Sequence, residues 1–508
     1  MFTSASRRNS PHASSGGTAV ASARKSLHAG IAALLLLAGC AVGPDFVRPK
    51  PPEDKRYTHQ PVPASSVPAD SQAQNFEQGA KIAGDWWRLF NSSQINVLVQ
   101  EAIADNPSLQ AAQASLRQSQ DTLRAGYGIF YPQVDASAGA SREKFSGAGF
   151  GQTALSNIFN LFTLSATVSY TLDVFGGERR ALEGLSAQVE YQRYAALGTY
   201  LALSGNIVNT AIAHAAYAAQ IQATEELIAL EKDQVHIMEA QVTAGTIPYV
   251  NLLSVQTQLA STQATLPPLR QRRDQAEHLL ATLTGRTPAE SAPLEIELAD
   301  LTLPSDLPVS LPSELVRQRP DILAAEAQLH SASANIGVAT AAMFPRFTLN
   351  GSVGQASNSA STLFQSSNTI WSIGADITAP LFHGGTLWYQ RKAAMEAYQA
   401  ALASYRQSVL SGLEQVADTL RALEHDAETV DAQSRAWRAA GDAYKLLRAN
   451  YQAGLANYLQ VLIADAQYHQ ASILYLQARA QRLQDTTALF VALGGGWWNQ
   501  APEIVGSK

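Results

Sequence analysis

Between Phe162 and Leu172 the chain alternates apolar and polar residues with almost no slip. Phe162, Leu164, Ala166, Val168, Tyr170 and Leu172 fall on one side; Thr163, Ser165, Thr167, Ser169 and Thr171 fall on the other. A second run does the same, with Trp371, Ile373, Ala375, Ile377 and Ala379 separated by Ser372, Gly374, Asp376 and Thr378. Successive side chains of a strand point to opposite faces, so a period of two specifies a strand with one oily and one wet face. The run length also suits a tilted membrane-crossing strand, which takes about 9–11 residues. A single run describes a half-buried strand of a soluble sheet equally well, and only its surroundings separate the two readings.

Those surroundings contain the same pattern twice. Asn106–Gly139 aligns without a gap to Arg319–Ser352, placing Pro107 on Pro320, Ala111-Ala112 on Ala324-Ala325, Leu116 on Leu329 and Pro132 on Pro345. Further on, Phe175-Gly176-Gly177 answers Phe382-His383-Gly384-Gly385, and Ala244-Gly245 answers Ala453-Gly454. The offset stays close to 210 residues, the signature of one unit present twice. Each unit reads as helix, strand, strand, long helix, helix. The first helix spans about Asn106 to Gly126 and stops before Pro132, after which Val134, Ala136, Ala138 and Ala140 alternate with mostly polar partners. Phe347, Leu349, Gly351 and Val353 are their counterparts. Gly/Ser/Asn-rich stretches from Phe145 to Asn160 and from Ala356 to Thr369 read as exposed connections.

Proline-free helical patterns run from just after Gly176-Gly177 to about Thr243 and from Thr386 to about Gln452. At 1.5 Å per residue each is about 100 Å long, more than an ordinary globular domain needs. Small apolar residues such as Ala211, Ala215 and Ala218 recur beside Ile207, which lets helices approach closely. The helices by themselves suit a coiled-coil scaffold equally well. Each pattern turns back at a glycine, Gly245 or Gly454, and return helices follow to about Leu283 and Leu493. Pro267-Pro268 predicts a kink or break in the first return helix.

The N-terminal end has a different character. Arg7, Arg8, Arg24 and Lys25 precede the apolar stretch Ile31–Ala38, which has the length of a signal-peptide core and falls short of the roughly 20 residues of a spanning helix. Cys40, the chain's single cysteine, closes Leu37-Ala38-Gly39-Cys40, which resembles a bacterial lipobox. That predicts cleavage before Cys40 and a covalent lipid on its thiol, with no other cofactor. Several acyl chains hold a protein firmly where one does not. Ala41, in place of an aspartate, favours the outer membrane. Prolines 44, 49, 51, 52, 61, 63 and 68 mark an extended arm without a core of its own. With 15% charged residues and a net charge of −6, the chain offers no basic surface to nucleic acid.

Four alternating strands per chain cannot close a membrane barrel, and an open edge in lipid leaves backbone groups unpaired. Bacterial outer-membrane barrels have about eight strands or more, so copies must associate. Two copies give a barrel that side chains fill, and three give twelve strands with room for a lumen. Long helices leaving the same barrel favour three.

Several motifs occur in a telling order: Cys40 to Phe46, Asp85-Trp86-Trp87 with Phe90, and Leu172-Asp173-Val174-Phe175-Gly176. Leu266-Pro267-Pro268-Leu269 follows with His278 and Gly285, then Arg319-Pro320-Asp321, then Ala492-Leu493-Gly494-Gly495-Gly496-Trp497. Together the chain resembles the TolC/OprM-like outer membrane efflux proteins, in the lipoprotein branch often called NodT-type, over essentially all of its mature length. The resemblance implies a mainly α-helical fold with a membrane β-barrel. It implies a homotrimer whose 12-stranded β-barrel, four strands per protomer, continues as a periplasmic α-helical barrel with an equatorial belt. It implies a passive exit duct for drugs or other small molecules, joined through a periplasmic adaptor (membrane fusion) protein to an inner-membrane RND-type transporter. Type I secretion and a non-channel lipid-anchored scaffold are the alternatives. The expected organisation is a signal peptide over residues 1–39, the lipid-anchored arm over 40–84, repeats over 85–300 and 301–497, and a tail over 498–508.

On the same resemblance the tips around Gly245, Thr246, Gly454 and Leu455 are where the adaptor docks and the duct closes at rest. Six residues past each tip glycine stand Asn251 and Gln460, and Ile463 follows. Family members often carry an acidic ring here, so its absence argues against ring-type cation selectivity and for a gate closed by polar and apolar packing. Asp465 is the nearest acid after the second tip. No His-Glu-x-x-His, phosphate loop, Gly-x-Ser-x-Gly or cysteine nucleophile occurs in the mature body, and the histidines lack ligand spacing, so neither an enzyme nor a metal site is expected.

Overall fold

The computed structural model describes residues 41–70, 72–146, 156–291 and 293–499. The signal segment, Cys40, the middle of the first strand connection and residues 500–508 of the tail lie outside the described residues. The elements in order are β1 (Asn75–Gln78), a 3-10 turn (Trp86–Phe90), α1 (Ser93–Asp105), α2 (Pro107–Gly126), β2 (Gln133–Ser146) and β3 (Ser156–Leu172). Then come α3 (Gly177–Thr243), α4 (Tyr249–Leu283), β4 (Asp306–Val309), α5 (Pro312–Gln318) and α6 (Pro320–Ala341). β5 (Arg346–Ser357), β6 (Thr369–Thr378), α7 (Thr386–Gln452) and α8 (Tyr458–Ala492) complete the chain. α3 and α7 each have 67 residues, and α4 and α8 each have 35.

The chain divides into two compact units, and each draws on both halves of the sequence. The first, within residues 41–46, 122–186 and 330–399, holds a four-stranded antiparallel sheet in the order β2-β3-β5-β6. Its register sorts the alternation into rungs. Val134, Val168, Gly351 and Ile373 stand across from one another, and the next rung is Asp135, Thr167, Ser352 and Ser372. On the polar face Ser137 and Ser165 share a 2.8 Å hydroxyl contact, as do Ser352 and Ser372, while Asn350 Nδ2 donates to Asp376 Oδ2 at 2.6 Å. The apolar face is bare: Ile373 is 84% and Trp371 72% exposed. β2 and β6 are the edges, each with one ladder.

The described parts of both connections are more ordered than their composition suggests. β2 runs to Ser146 and β3 starts at Ser156, taking in the two ends of the stretch expected to be loop, because hairpin pairing satisfies the backbone whatever the side chains are. The second connection folds into short 3-10 turns at Ala360–Thr362 and Ser366–Asn368, tied by a 2.6 Å contact between the Ser357 and Thr362 hydroxyls and by Asn368 Nδ2 donating to Thr362 O at 2.7 Å.

The second unit, within residues 47–121, 187–329 and 400–499, carries the main core. Ile207, Val208, Ala211, Ile212 and Ala215 form a fully buried stripe on α3, packed with Val416, Leu420 and Leu423 of α7 and with Leu483 and Phe490 of α8. Trp86 of the 3-10 turn stacks on Phe490 with centroids 5.4 Å apart. The proline-rich arm is stitched to this body. Tyr57 Oη donates to Ser310 O at 2.9 Å, β1 pairs in parallel with β4, and the Arg482 side chain, 3% exposed, donates to Gln74 Oε1 at 3.0 Å and Ser66 Oγ at 3.1 Å. The arm lacks its own core, as its composition predicts, yet it shares the core of the helices.

Of the kink or break expected at Pro267-Pro268, the break does not occur: α4 continues through both prolines. Residue i of a helix bonds the carbonyl of i−4, so the prolines free the carbonyls of Gln263 and Ala264. All four residues are exposed, which leaves the freed carbonyls open to solvent. No helix among the described residues is long and apolar enough to cross a membrane.

Candidate functional site

Two hairpin ends and the open sheet are the places where chemistry expected of this chain can act. At the first tip Gly245 N donates to Val242 O at 2.9 Å and Thr246 N to Gln241 O at 3.0 Å. At the second, Gly454 N donates to Tyr451 O at 3.0 Å and Leu455 N to Asn450 O at 2.8 Å. These paired bonds are the Schellman closure of a helix, and the left-handed residue it requires is Gly245 (φ 72°) or Gly454 (φ 75°). The return helices start differently. Pro248 precedes α4 without a side-chain cap, whereas Asn457 caps α8: Gln460 N donates to Asn457 Oδ1 at 3.1 Å, and Asn457 N to Gln460 Oε1 at 3.2 Å.

Asn251 and Gln460 therefore occupy matching third positions of α4 and α8. Asn251 is half-buried; Gln460 is exposed with its side chain engaged in the cap, and Ile463 is exposed one turn on. Around them Tyr249, Val250, Leu253, Leu455 and Leu459 present further apolar surface at the tips. Beneath the first tip Met238, Leu252 and Val255 are buried with Tyr458 packed against them. Tyr451 Oη donates to Gln241 Oε1 at 3.1 Å, and its ring meets Tyr458 edge-on at 5.6 Å. The two hairpins are thus joined by tyrosines just behind their tips.

The family model for outer membrane efflux proteins matches residues 98–286 and 311–495, well over half of the chain. The pyoverdine export outer membrane protein OpmQ of Pseudomonas aeruginosa is 30% identical over 449 residues, covering 86% of this chain and 93% of its own. The toluene efflux pump outer membrane protein TtgC of Pseudomonas putida is 28% identical over 472 residues, 92% of this chain and 94% of its own. The solved outer-membrane channel OprN matches with a TM-score of 0.80 at 28% identity, over 90% of this chain and 100% of that one. The chain belongs to the outer membrane efflux protein family.

Two features of this outer membrane efflux protein escaped the sequence. The first is where its arm begins. Val42 N donates to Phe175 O at 3.0 Å, and a Cβ on Gly176 would fall 2.5 Å from Ala41 Cα. Arg180, nearly buried, bonds Asp45 Oδ1 at 2.6 Å and Glu183 Oε2 at 2.7 Å, and Phe46 stacks on His330, whose Nε2 meets Glu183 Oε1 at 2.9 Å. The residue after Cys40 is therefore held at the turn that ends β3. The second feature is a buried acid pair, Glu231 on α3 and Asp465 on α8, at 5% and 6% exposure and within hydrogen-bonding reach of each other. The sequence shows Asp465 only as an acid past the tip. Nothing local reveals that its face of α8 turns inward toward a second carboxyl 234 residues away.

Proposed function

We propose that this protein is the outer-membrane exit duct of a tripartite efflux pump, passively conducting small molecules handed on by a periplasmic adaptor and an inner-membrane RND-type transporter. The observation that carries the reading is the sheet itself: four strands, one apolar face, one hydroxyl-rich face and two unpaired edges. In lipid an edge must pair. Three copies joined β6 to β2 make a closed barrel of twelve strands, with the Thr/Ser face on a water-filled lumen and Val168 and Ile373 toward lipid. The long helices α3 and α7 and their returns continue that lumen on the periplasmic side. A helical scaffold without a pore has no use for such a sheet.

Cys40 bears the lipid, and the anchoring of Ala41 and Val42 beside Phe175 and Gly176 supports an acyl group held where the strands leave the membrane. Gly245, Thr246, Gly454 and Leu455 form the surface that meets the adaptor, and Asn251, Gln460 and Ile463 narrow the resting duct. The names of the relatives, a pyoverdine exporter and a toluene efflux component, favour small organic cargo chosen elsewhere in the pump. Electron micrographs of the detergent-purified protein test the assembly. Threefold particles with a hollow tube are expected, and a monomer without a lumen refutes the duct.

A further inference from the structure

We propose that Glu231 and Asp465 form a shared-proton site that locks the return helix of the second hairpin to the first hairpin, and that loss of this proton releases the closed tip. The proposal rests on the duct reading and adds to it a regulator outside the gate residues. Glu231 Oε1 accepts the Thr262 hydroxyl at 2.9 Å. Glu231 Oε2 and Asp465 Oδ1, both buried, have no donor among the described residues. Two ionised carboxylates are acceptors only, so they cannot satisfy each other; one protonated carboxyl donates to its neighbour and satisfies both.

Burial and the mutual charge favour holding that proton, against the pull of the polar neighbours. α4 contributes Thr262 and Gln258, which are neutral, and Gln258 Nε2 bonds Thr262 Oγ1 at 3.3 Å. α7 contributes Tyr444 and Arg448, and α8 contributes Tyr458, a neutral phenol whose pKa burial and the two acids raise. One turn on, His469 meets Thr224 Oγ1 at 3.4 Å, and burial holds its imidazole below the usual pKa. The Tyr444 hydrogen bond and the Arg448 cation pull Asp465 toward ionisation, as the Thr262 and Gln258 hydrogen bonds pull Glu231, and burial outweighs them. Burial, then the Glu231 charge, push Asp465 up to about 7, and burial raises Glu231. The titration belongs to the pair as a unit.

The sign follows. The folded pair binds a proton more tightly than the unfolded chain does, so its contribution is full at low pH and is lost as pH rises through about 7. What replaces it is two buried like charges, one on each hairpin, which repel. Asp465 follows Ile463 by two residues on α8, so strain between α3 and α8 reaches the gate positions through one helical turn.

The test uses the full-length lipidated protein in planar bilayers, with current recorded from about pH 5.5 to about 8.5. The closed-state current of the unmodified protein should rise as pH passes about 7. Glu231→Gln and Asp465→Asn place a permanent amide donor opposite the remaining carboxylate, so both should give a low current that does not change with pH. Infrared spectra of an Asp426→Asn protein, used because Asp426 itself holds a proton to about pH 8, report the pair directly: a protonated-carboxyl band should persist to near neutrality and vanish above it. Absence of that band at about pH 6, or a current profile shared by the unmodified protein and both amide variants, overturns the lock. A flat unmodified profile while Ile463→Ser conducts also overturns it and leaves the duct standing. If no version, Ile463→Ser included, passes current at any pH, the duct reading falls and the lock with it.

Discussion

Placing arginine at Val168 should stop assembly, whereas arginine at Thr167, its neighbour in the chain, should not. Ten residue steps from Phe162 to Leu172, at about 3.4 Å each and tilted by about 40°, cover about 26 Å along the membrane normal. That matches the apolar band of outer-membrane barrels, about 25 Å tall. Val168 lies four steps in from Leu172, about 10 Å deep and within a few ångströms of the middle. A lipid-facing arginine near the midplane costs about 2–4 kcal/mol, and three copies multiply that to about 6–12 kcal/mol, comparable to the whole stability of many proteins. Thr167 has the same depth but the opposite face, in the rung with Asp135, Ser352 and Ser372, and its arginine meets lumen water. The assay is refolding into lipid vesicles, scored as heat-sensitive trimer on unheated gels. Ile373→Arg and Ser372→Arg repeat the contrast two strands away, in the same two rungs. If the members of either pair assemble alike, these strands do not face lipid.

Other consequences are equally open to measurement. Gly454→Val should cost about 1–2 kcal/mol in thermal unfolding, from the left-handed backbone alone, since a Cβ there meets nothing within 4 Å. Arg482→Met leaves Gln74 Oε1 without its buried donor and should cost about 1–3 kcal/mol, with limited proteolysis then cutting the arm between β1 and residue 47 first. Burial and the neighbouring Asp485 push Asp426 up to about 8, so stability should decline as pH rises from about 4 to about 8. Asp426→Asn should flatten that slope in melting curves. Gln460→Ala removes the acceptor for Asn457 N, and together with Ile463→Ser it should raise closed-state current; an unchanged current removes both from the gate.

Much of the fold was legible because it depends on periods and end signals that are local. The long helices stop at Thr243 and Gln452, where the sequence places their ends, because a glycine free to take positive φ follows each. The alternating runs became strands because alternation alone decides which side chains share a face. Pro267-Pro268 left kink and break both open because the cost of a proline depends on whether the freed carbonyls meet water, and solvent exposure is not written locally. The strand lengths were underestimated at the connections for a similar reason: pairing, not composition, kept Ser141–Ser146 and Ser156–Asn160 extended.

The candidate site divides along the same line. The tip glycines and the residues six places after them could be named from the chain, but the commitment of Gln460 to the Asn457 cap could not. Its role follows from the backbone geometry at the start of α8. The Glu231–Asp465 pair was invisible because each acid is unremarkable in its own helix, and burial arises only where the helices pack.

Sequence alone determined the two faces of each strand, the lengths of the helices and the places where they turn, because these follow from nearest-neighbour geometry and helical or strand period. Tertiary structure decided that β3 pairs with β5, so that two hairpins 213 residues apart merge into one sheet with two free edges. It also decided that the arm is pinned through Arg180 and Arg482, and that two carboxyls meet away from water. Each of these depends on which surfaces exclude solvent together, a property of the packed chain that no local pattern carries.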